Sequence, residues 1–573
     1  MTGQIAARIG LALVGALGGA AFWAAIEAAD RGWVADVPAL GLFVFLLTGL
    51  GALMAMAGPI GLGRAAPRAA ALALVVAALV WLSAQRYDDL DDYLLGVLPL
   101  LAAITLATLP VPFLIAQVRS RWNDYPVLFL EAWSVVVRLA AAGAFTGLVW
   151  LVIFLSDELL EIVGIGIIGR LVEHELVALA LGGAIFGLGM AVIHDLADLL
   201  SPYVVLRLFR LFLPVVLAVM AVFLVALPFR GLDGLVSGLS PATLLLTMVA
   251  GGIALVSIAI DQTDAEATQS ALLIRCAQGM ALILPVMGAL AVWAIWIRVA
   301  DHGWTPERLF ILLVAGIGLV YGLVYAVSVL RRGAWMERIR QGNIRVALGI
   351  LALAALWLTP VFNAERISAA SQLARFETEG VEALDISALE DWGKAGAAVL
   401  AELEARSREP GQEALAAVLS GEAPDGIDNG PALAAELAAV LPVQPASATG
   451  MRDVILGAAA DYQLQDWLQV CSVEREDGQP ACLLVVADLL PLRPGEEAML
   501  FLHRSADYVE VSGLYLDDSG MLVWRSATRL DGRFLSADEA TRLLRQYQAA
   551  PPPLTGAELN QLGTGEDGLV FLP

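Results

Sequence analysis

His194, Asp195 and Asp198 stand in the string HDLAD. On a helix, His194 and Asp198 lie one turn apart on one face, with Asp195 beside them. That spacing offers two ligands to a metal ion, and a site needs at least a third. The other histidines, His174, His302 and His503, fall on the opposite side of the membrane in the topology derived below. The string therefore reads as a wet helix end pairing with Arg207 and Arg210. Arg138 is the other candidate. It lies inside an apolar run, where an ionisable group is a functional hypothesis by default. It sits near the arginine-rich end of that run, so the reading is a side chain that snorkels to the interface or pairs with Glu131.

Two further strings resemble chemistry. GIGIIG, Gly164 to Gly169, matches the dinucleotide fingerprint GxGxxG. The fingerprint needs a strand before it and a helix after it. Here apolar membrane-length runs flank it, which makes it a glycine-rich interfacial turn. RYDDLDDY places Asp88, Asp89, Asp91 and Asp92 on one loop. Such acids could hold a metal or serve as a base in a transferase using lipid-linked sugars, but a charge run reads first as a solvated loop. The only lysine, Lys394, lies in EDWGKAG, which lacks the first glycine of a P-loop, so no ATP site is expected. There is no GxSxG and no HExxH. No catalytic, cofactor-binding or metal site is assigned.

The elements that would carry these residues are set by composition. Of 573 residues, 59% are hydrophobic and 16% charged, where a soluble domain is nearer about 25% charged. Eleven apolar runs suit the ~20 residues that cross a bilayer. They cover 9–26, 40–57, 69–84, 94–116, 132–155, 176–193, 211–227, 242–260, 280–297, 309–330 and 344–362. All are expected as helices, because lipid offers no partner to an unpaired backbone group. The first is read as a span and not as a cleaved leader. Residues 158–171 are apolar enough to lie along the interface. Pro99, Pro110 and Pro112 mark the fourth span as a candidate broken helix. Gly15 and Gly19 form a GxxxG, a signal of close helix packing.

Orientation follows from arginine. One set of loops and span ends holds Arg8, Arg64, Arg68, Arg119, Arg121, Arg207, Arg210, Arg275, Arg331, Arg332, Arg338 and Arg340. The other holds Arg31, Arg86, Arg170, Arg230, Arg298 and Arg308. The richer set belongs in the cytoplasm, which puts the N-terminus inside and Asn363 outside. From Asn363 onward 34 acids face 14 bases, a net of −20 within a total of −23. An acidic half of this kind excludes a phosphate-backbone partner and electrostatic docking on anionic lipid.

The expected architecture is an α-helical polytopic membrane protein with a C-terminal extracytoplasmic α+β domain. Its parts are a bundle over 1–362, a helical exit segment over 363–445, a mixed module over 446–550 and a mobile tail over 551–573. Alternating runs from about Trp467 to Arg529 read as antiparallel strands. Ser536 and Glu539 form a capping box for a helix that ends before Pro551. In GWTPER, Thr305 can N-cap the tenth span, with Pro306 at the first helical position and Glu307 favouring the helix start. Cys276 stays a thiol at the cytoplasmic face. Cys471 and Cys482 flank an Asp477-Gly478 turn signal, expected between two strands, which makes them a disulfide candidate in an oxidising compartment.

Several strings are similar to those of a known family. They are NDYPVLF followed by Trp133 and Arg138, FLSD at 154–157, LSPYVVLRLFRL at 200–211, GWTPER at 303–308 and WLTPVFNAERISAASQ at 357–372. On these the chain resembles the bacterial membrane proteins grouped as domain-of-unknown-function family 4153. The resemblance implies a polytopic inner-membrane protein and no reaction. Related domains end in a sheet-rich module with an aspartate-rich calcium loop. The comparable stretch here, ADLLPLRPGEEAMLF, keeps Asp488, Gly495 and Glu496 and lacks the acids between.

Three functions remain open on the sequence. The first is a non-enzymatic envelope scaffold whose acidic outer domain meets another envelope component. The second is a secondary transporter, for which a polar cavity open to one face would be the sign. The third is a glycosyltransferase using the outer acidic loops.

Overall fold

Apolar runs of membrane length become helices because only a helix satisfies its own backbone within lipid. The computed structural model describes residues 2–195, 202–230, 241–420, 429–473, 475, 478–490, 495–505, 508–517, 520–527, 529, 533, 535–556, 561–562 and 569–570. Among them, eleven helices are long and apolar enough to cross a membrane. In order these spans are Arg8–Asp30, Asp36–Ile60, Leu62–Ala84, Val97–Arg119, Tyr125–Glu161, Glu175–His194, Leu206–Pro228, Ala242–Ile260, Ala271–Ala300, Pro306–Leu330 and Trp335–Leu358. The chain is a multi-pass helical membrane protein with a C-terminal α+β part.

Each span overlaps one expected run, and most extend beyond it. The fifth is 37 residues long, because its polar ends continue the hydrogen-bond ladder past the apolar stretch. Residues 158–161 thus belong to the fifth span; a turn and a short helix, Ile167–Val172, follow. The fourth is two helices, Val97–Thr108 and Pro110–Arg119. Leu109 between them keeps right-handed helical angles, and its N–H still reaches the Thr105 carbonyl at 3.0 Å. The prolines therefore make a joint and leave no gap. The caps fall where the side chains allow. Thr305 Oγ1 accepts from Arg308 N at 3.2 Å and Asn363 Oδ1 from Arg366 N at 2.8 Å.

The first and sixth spans meet along a seam of glycine. A methyl added at Gly15 would overlap the Gly183 carbonyl, and one at Gly19 the Leu179 carbonyl. Reciprocally, one at Gly183 would overlap the Gly15 carbonyl and one at Gly187 that of Leu11. Gly183 and Gly187 form a second GxxxG, so each helix presents a groove to the other.

The chain divides into two compact units, Met1–Arg408 and Glu409–Pro573. This corrects the boundary expected at residue 362. Lys394 N donates to the Arg86 carbonyl at 2.9 Å, and Gly393 lies so close that a methyl would come within 2.8 Å of it. Those contacts fold the exit helices Ala364–Glu379 and Gly393–Ser407 with the membrane half.

The boundary expected at residue 446 also moves. The second unit is a sheet ordered β1-β2-β3-β4-β5: β1 Val443–Gln444, β2 Cys482–Ala487, β3 Glu497–Ser505, β4 Tyr508–Leu516 and β5 Leu522–Ser526. β1 runs parallel to β2 and the remaining pairs are antiparallel. Leu437 and Leu441 pack with Leu484 and Leu500 on one face, so the helix Asn429–Val440 belongs to this core. Ala540 and Leu544 of the helix Ala537–Ala549 cover Leu483, Val485 and Phe501 on the other. That helix carries the expected capping box, Ser536 with Glu539. Trp467 is not in a strand: Leu464, Trp467, Leu468 and Cys471 recur at helical spacing on the helix Asp461–Cys471. Within the tail, β6 Gln561–Leu562 pairs with β7 Leu569–Val570.

Candidate functional site

At the N-terminal end of the eleventh span a cavity of about 1380 Å³ opens. The loop before the fifth span, with Arg121, Trp122 and Asp124, forms one wall. Gln262, Thr263 and Asp264 after the eighth span form another, and Glu337, Arg340, Gln341 and Arg345 a third. Arg340 and Asp261 organise it. The last carbonyls of a helix lack intrahelical donors. Arg340 supplies them to the eighth span, giving Nη2 to the Ile260 carbonyl at 2.6 Å and Nε to that of Asp261 at 3.0 Å. Its Nη1 meets Asp264 Oδ1 at 2.7 Å. Arg210 adds Nε to the Ile258 carbonyl at 3.0 Å and pairs with the Asp261 carboxylate. Asp261 is 1% exposed and adopts a left-handed φ of 49°, a conformation that aspartate tolerates better than most residues. Burial pushes its carboxyl above the usual range, against the opposing pull of the Gln262 N–H and Arg210.

A polar network runs from this cavity between the spans. Tyr125 lines the cavity and accepts from Asn343 Nδ2 at 3.1 Å. The same amide nitrogen reaches Ser257 Oγ at 3.3 Å, and Asn343 Oδ1 accepts from Tyr325 Oη at 2.7 Å. With its proton on Asn343, Tyr325 accepts from Ser257 at 2.8 Å. The amide thus joins the fifth, eighth, tenth and eleventh spans around a fully buried tyrosine. Such a network holds one arrangement because each member left unpaired in a low dielectric would be costly. Chemically, the cavity presents guanidinium donors beside carboxylate acceptors, with Trp122 and Tyr125 in its lining.

Arg138 does not snorkel. Its side chain is 8% exposed; Nη2 meets Glu131 Oε2 at 3.1 Å and Nε donates to the Ser134 carbonyl at 3.0 Å. Glu131 also pairs with Arg119. The pairing with Glu131 is therefore the arrangement adopted, since a buried guanidinium stays charged and is costly without a partner. His194 Nδ1 lies 3.5 Å from Arg138 Nη1, and the ring packs on Gly58 of the second span. The expected pairing of the HDLAD string with Arg210 is corrected, because Arg210 caps the eighth span instead. The side chain of Asp195 and the whole of Asp198 lie outside the described residues. Among the described residues, no three His, Cys, Asp or Glu side chains gather at metal-binding distance.

GIGIIG begins in the turn after the fifth span and runs into the helix Ile167–Val172. Gly164 has φ +81°, which favours glycine, and Asp157 Oδ1 accepts from Gly169 N at 2.7 Å. Of the acidic loop, Asp89 N-caps the helix Leu90–Leu95, accepting from Asp91 N at 2.9 Å, and Asp88 lies 3.4 Å from Lys394. Beside it Arg86 forks into the exit of the eleventh span, donating to the Trp357, Thr359 and Phe362 carbonyls at 2.9, 2.6 and 2.9 Å. In the second unit Glu497 Oε2 accepts from the Leu489 and Leu490 N–H groups at 2.8 and 2.9 Å. Glu497 thereby organises the stretch compared with a calcium loop.

Cys471 and Cys482 form a disulfide with a Cα separation of 5.1 Å, and Cys276 is a buried thiol. The bond joins a helix end to the first residue of β2, not two strands. Of the turn signal, Asp477 lies outside the described residues, while Gly478 has φ +73° and donates to the Arg475 carbonyl at 2.8 Å.

Sequence reading overlooked Asp261, Ser257, Tyr325, Asn343 and Arg345. A signal was present in Arg345, charged at the start of the apolar run 344–362, and in the polar Asn343 just before it. Comparison of the chain with family models, curated proteins and solved structures finds no match.

Proposed function

We propose that the chain is a bacterial inner-membrane protein that admits a small polar solute to its membrane half and moves it across. The cavity of about 1380 Å³ carries this reading, because a buried polar network continues from its Tyr125 wall between four spans. The mixed arginine and carboxylate rim suits a solute bearing an anionic group and a donor. The N-terminus is placed in the cytoplasm and the C-terminal module outside. Arg121, Arg210 and Arg340 gathering at one end of the bundle supports that orientation, as does the disulfide, which persists in an oxidising compartment. The strings similar to domain-of-unknown-function family 4153 accord with it and add no reaction. The test is Ser257→Cys in a Cys276→Ser background, treated with a membrane-impermeant thiol reagent on vesicles of both orientations. Transport requires modification from both sides, faster from the cytoplasmic one. Modification from one side only refutes it.

A second reading, a non-enzymatic envelope scaffold that binds another envelope protein through the acidic module, is favoured by β5. Among the described residues this strand pairs with β4 alone and leaves Trp524 53% exposed. An edge strand of this kind accepts a partner strand. A photo-crosslinker at Trp524 in intact cells should give one discrete adduct, and absence of any adduct would exclude a partner there.

A further inference from the structure

Between the tenth and eleventh spans lies an apolar groove of about 670 Å³. It runs from Leu309 and Phe362 at one end to Val324 and Arg345 at the other. Leu309 and Val324 are separated by about 22 Å of helix, enough for the acyl chain of one leaflet. Gly316 and Gly349 line the groove, and a methyl added at either would meet nothing within 4 Å. These glycines are not needed for close helix packing; they leave the channel open.

At its Arg345 end the groove joins a smaller cavity of about 210 Å³, which shares Val324, Arg345 and Val346 with it. Arg331, Arg338 and Arg345 line that cavity, and no carboxylate does. Arg338 gives Nη2 to the Ser328 and Arg332 carbonyls, while its Nε is buried without a partner. The nearest acid along the helix, Glu337, is engaged by Arg340 and Gln341. Arg331 directly follows the tenth span, at the level where lipid phosphates lie. Three guanidinium groups beside an apolar channel call for an anion that carries a hydrocarbon tail.

We propose that this groove holds one anionic phospholipid of the surrounding bilayer. Its phosphate rests on Arg331, Arg338 and Arg345, and one acyl chain lies along Gly316 and Gly349. The site shares Gln341 and Arg345 with the wall of the solute cavity, but the test reads lipid retention and not transport, and Gly349→Leu lies outside that cavity, so the two proposals fail separately.

The full chain is purified in a neutral detergent, and retained phospholipid is counted by native mass spectrometry. The unaltered protein should keep one phosphatidylglycerol per chain. The variant Arg331→Gln/Arg338→Gln/Arg345→Gln should lose retention by roughly fivefold for each arginine removed. Gly349→Leu, which fills the groove without touching a charge, should lose it as well and decides the matter if the triple variant fails to fold. In nanodiscs, phosphatidylglycerol should raise the melting temperature above that in phosphatidylcholine, and inorganic phosphate should not displace the lipid. Undiminished retention in Gly349→Leu, equal retention of phosphatidylcholine, or displacement by inorganic phosphate would each overturn the proposal.

Discussion

Arg86 and Glu365, 279 residues apart in sequence, form a 3.2 Å ion pair with both side chains nearly closed to water. With the three carbonyls that Arg86 also reaches, the pair fixes the point where the chain leaves the eleventh span. Removing one partner of a buried pair strands the other charge at about 3–5 kcal/mol. Arg86→Ala should therefore destabilise the membrane half by that order, while the paired replacement Arg86→Met/Glu365→Leu should lose much less. Thermal unfolding in detergent reads the difference, and equal losses would show that the ion pair is not the fastening.

Arg138→Lys keeps the charge beside Glu131 but not the planar fork that also reaches the Ser134 carbonyl. The lysine variant should insert and accumulate with a loss of about 1.5–3 kcal/mol, the order of one hydrogen bond from a charged group. Glu131→Ala leaves Arg138 buried without its carboxylate and should be the more severe change. A lysine variant that is normally stable but without function in cells would instead make Arg138 a ligand contact.

The bond between Cys471 and Cys482 closes a short loop, for which the chain-entropy model gives about 3 kcal/mol. Denatured protein treated with a mass-tagged maleimide should gain one tag, rising to three after reduction. Three tags without reductant would show that the bond does not form in the cell and would weaken the outward placement of the module.

In the second unit, Arg504 holds Asp466 through two hydrogen bonds at 2.8 and 2.6 Å and keeps its carboxyl below the usual range. A carboxylate whose folded pKa is lowered contributes stability that is complete above its unfolded value. That contribution is lost as pH falls through the folded value. The module should loosen below about pH 4, and Arg504→Gln should flatten that acid limb. Hydrogen exchange along β3 and the helix Asp461–Cys471, measured between about pH 2 and 6, reads this. An identical acid limb in both proteins would remove Asp466 from the account.

Local pattern made much of this molecule legible. The spans show as length and composition, and the caps at Thr305 and Ser536 show because a single side chain can close a helix start. Trp467 to Cys471 misled because a short apolar run satisfies both periodicities until its partners are known. The candidate site was hidden for a different reason. Tyr125 and Asn343 are 218 residues apart, and Arg340 reaches carbonyls some 80 residues earlier. Nothing local records which helices become neighbours. The unit boundary was hidden likewise, since Arg86 and Lys394 meet only after eleven spans have assembled.

The glycine seam between the first and sixth spans imposes an order on biogenesis. Four spans are synthesised between the two helices that share it. Until the sixth is inserted, the groove at Gly15 and Gly19 faces lipid, and tails cannot follow a backbone as closely as a second helix does. The first helix thus enters the bilayer early and acquires its fixed neighbour late. The nascent chain must keep that face vacant through the insertion of spans two to five, and closure of the seam commits the N-terminal end to its final place.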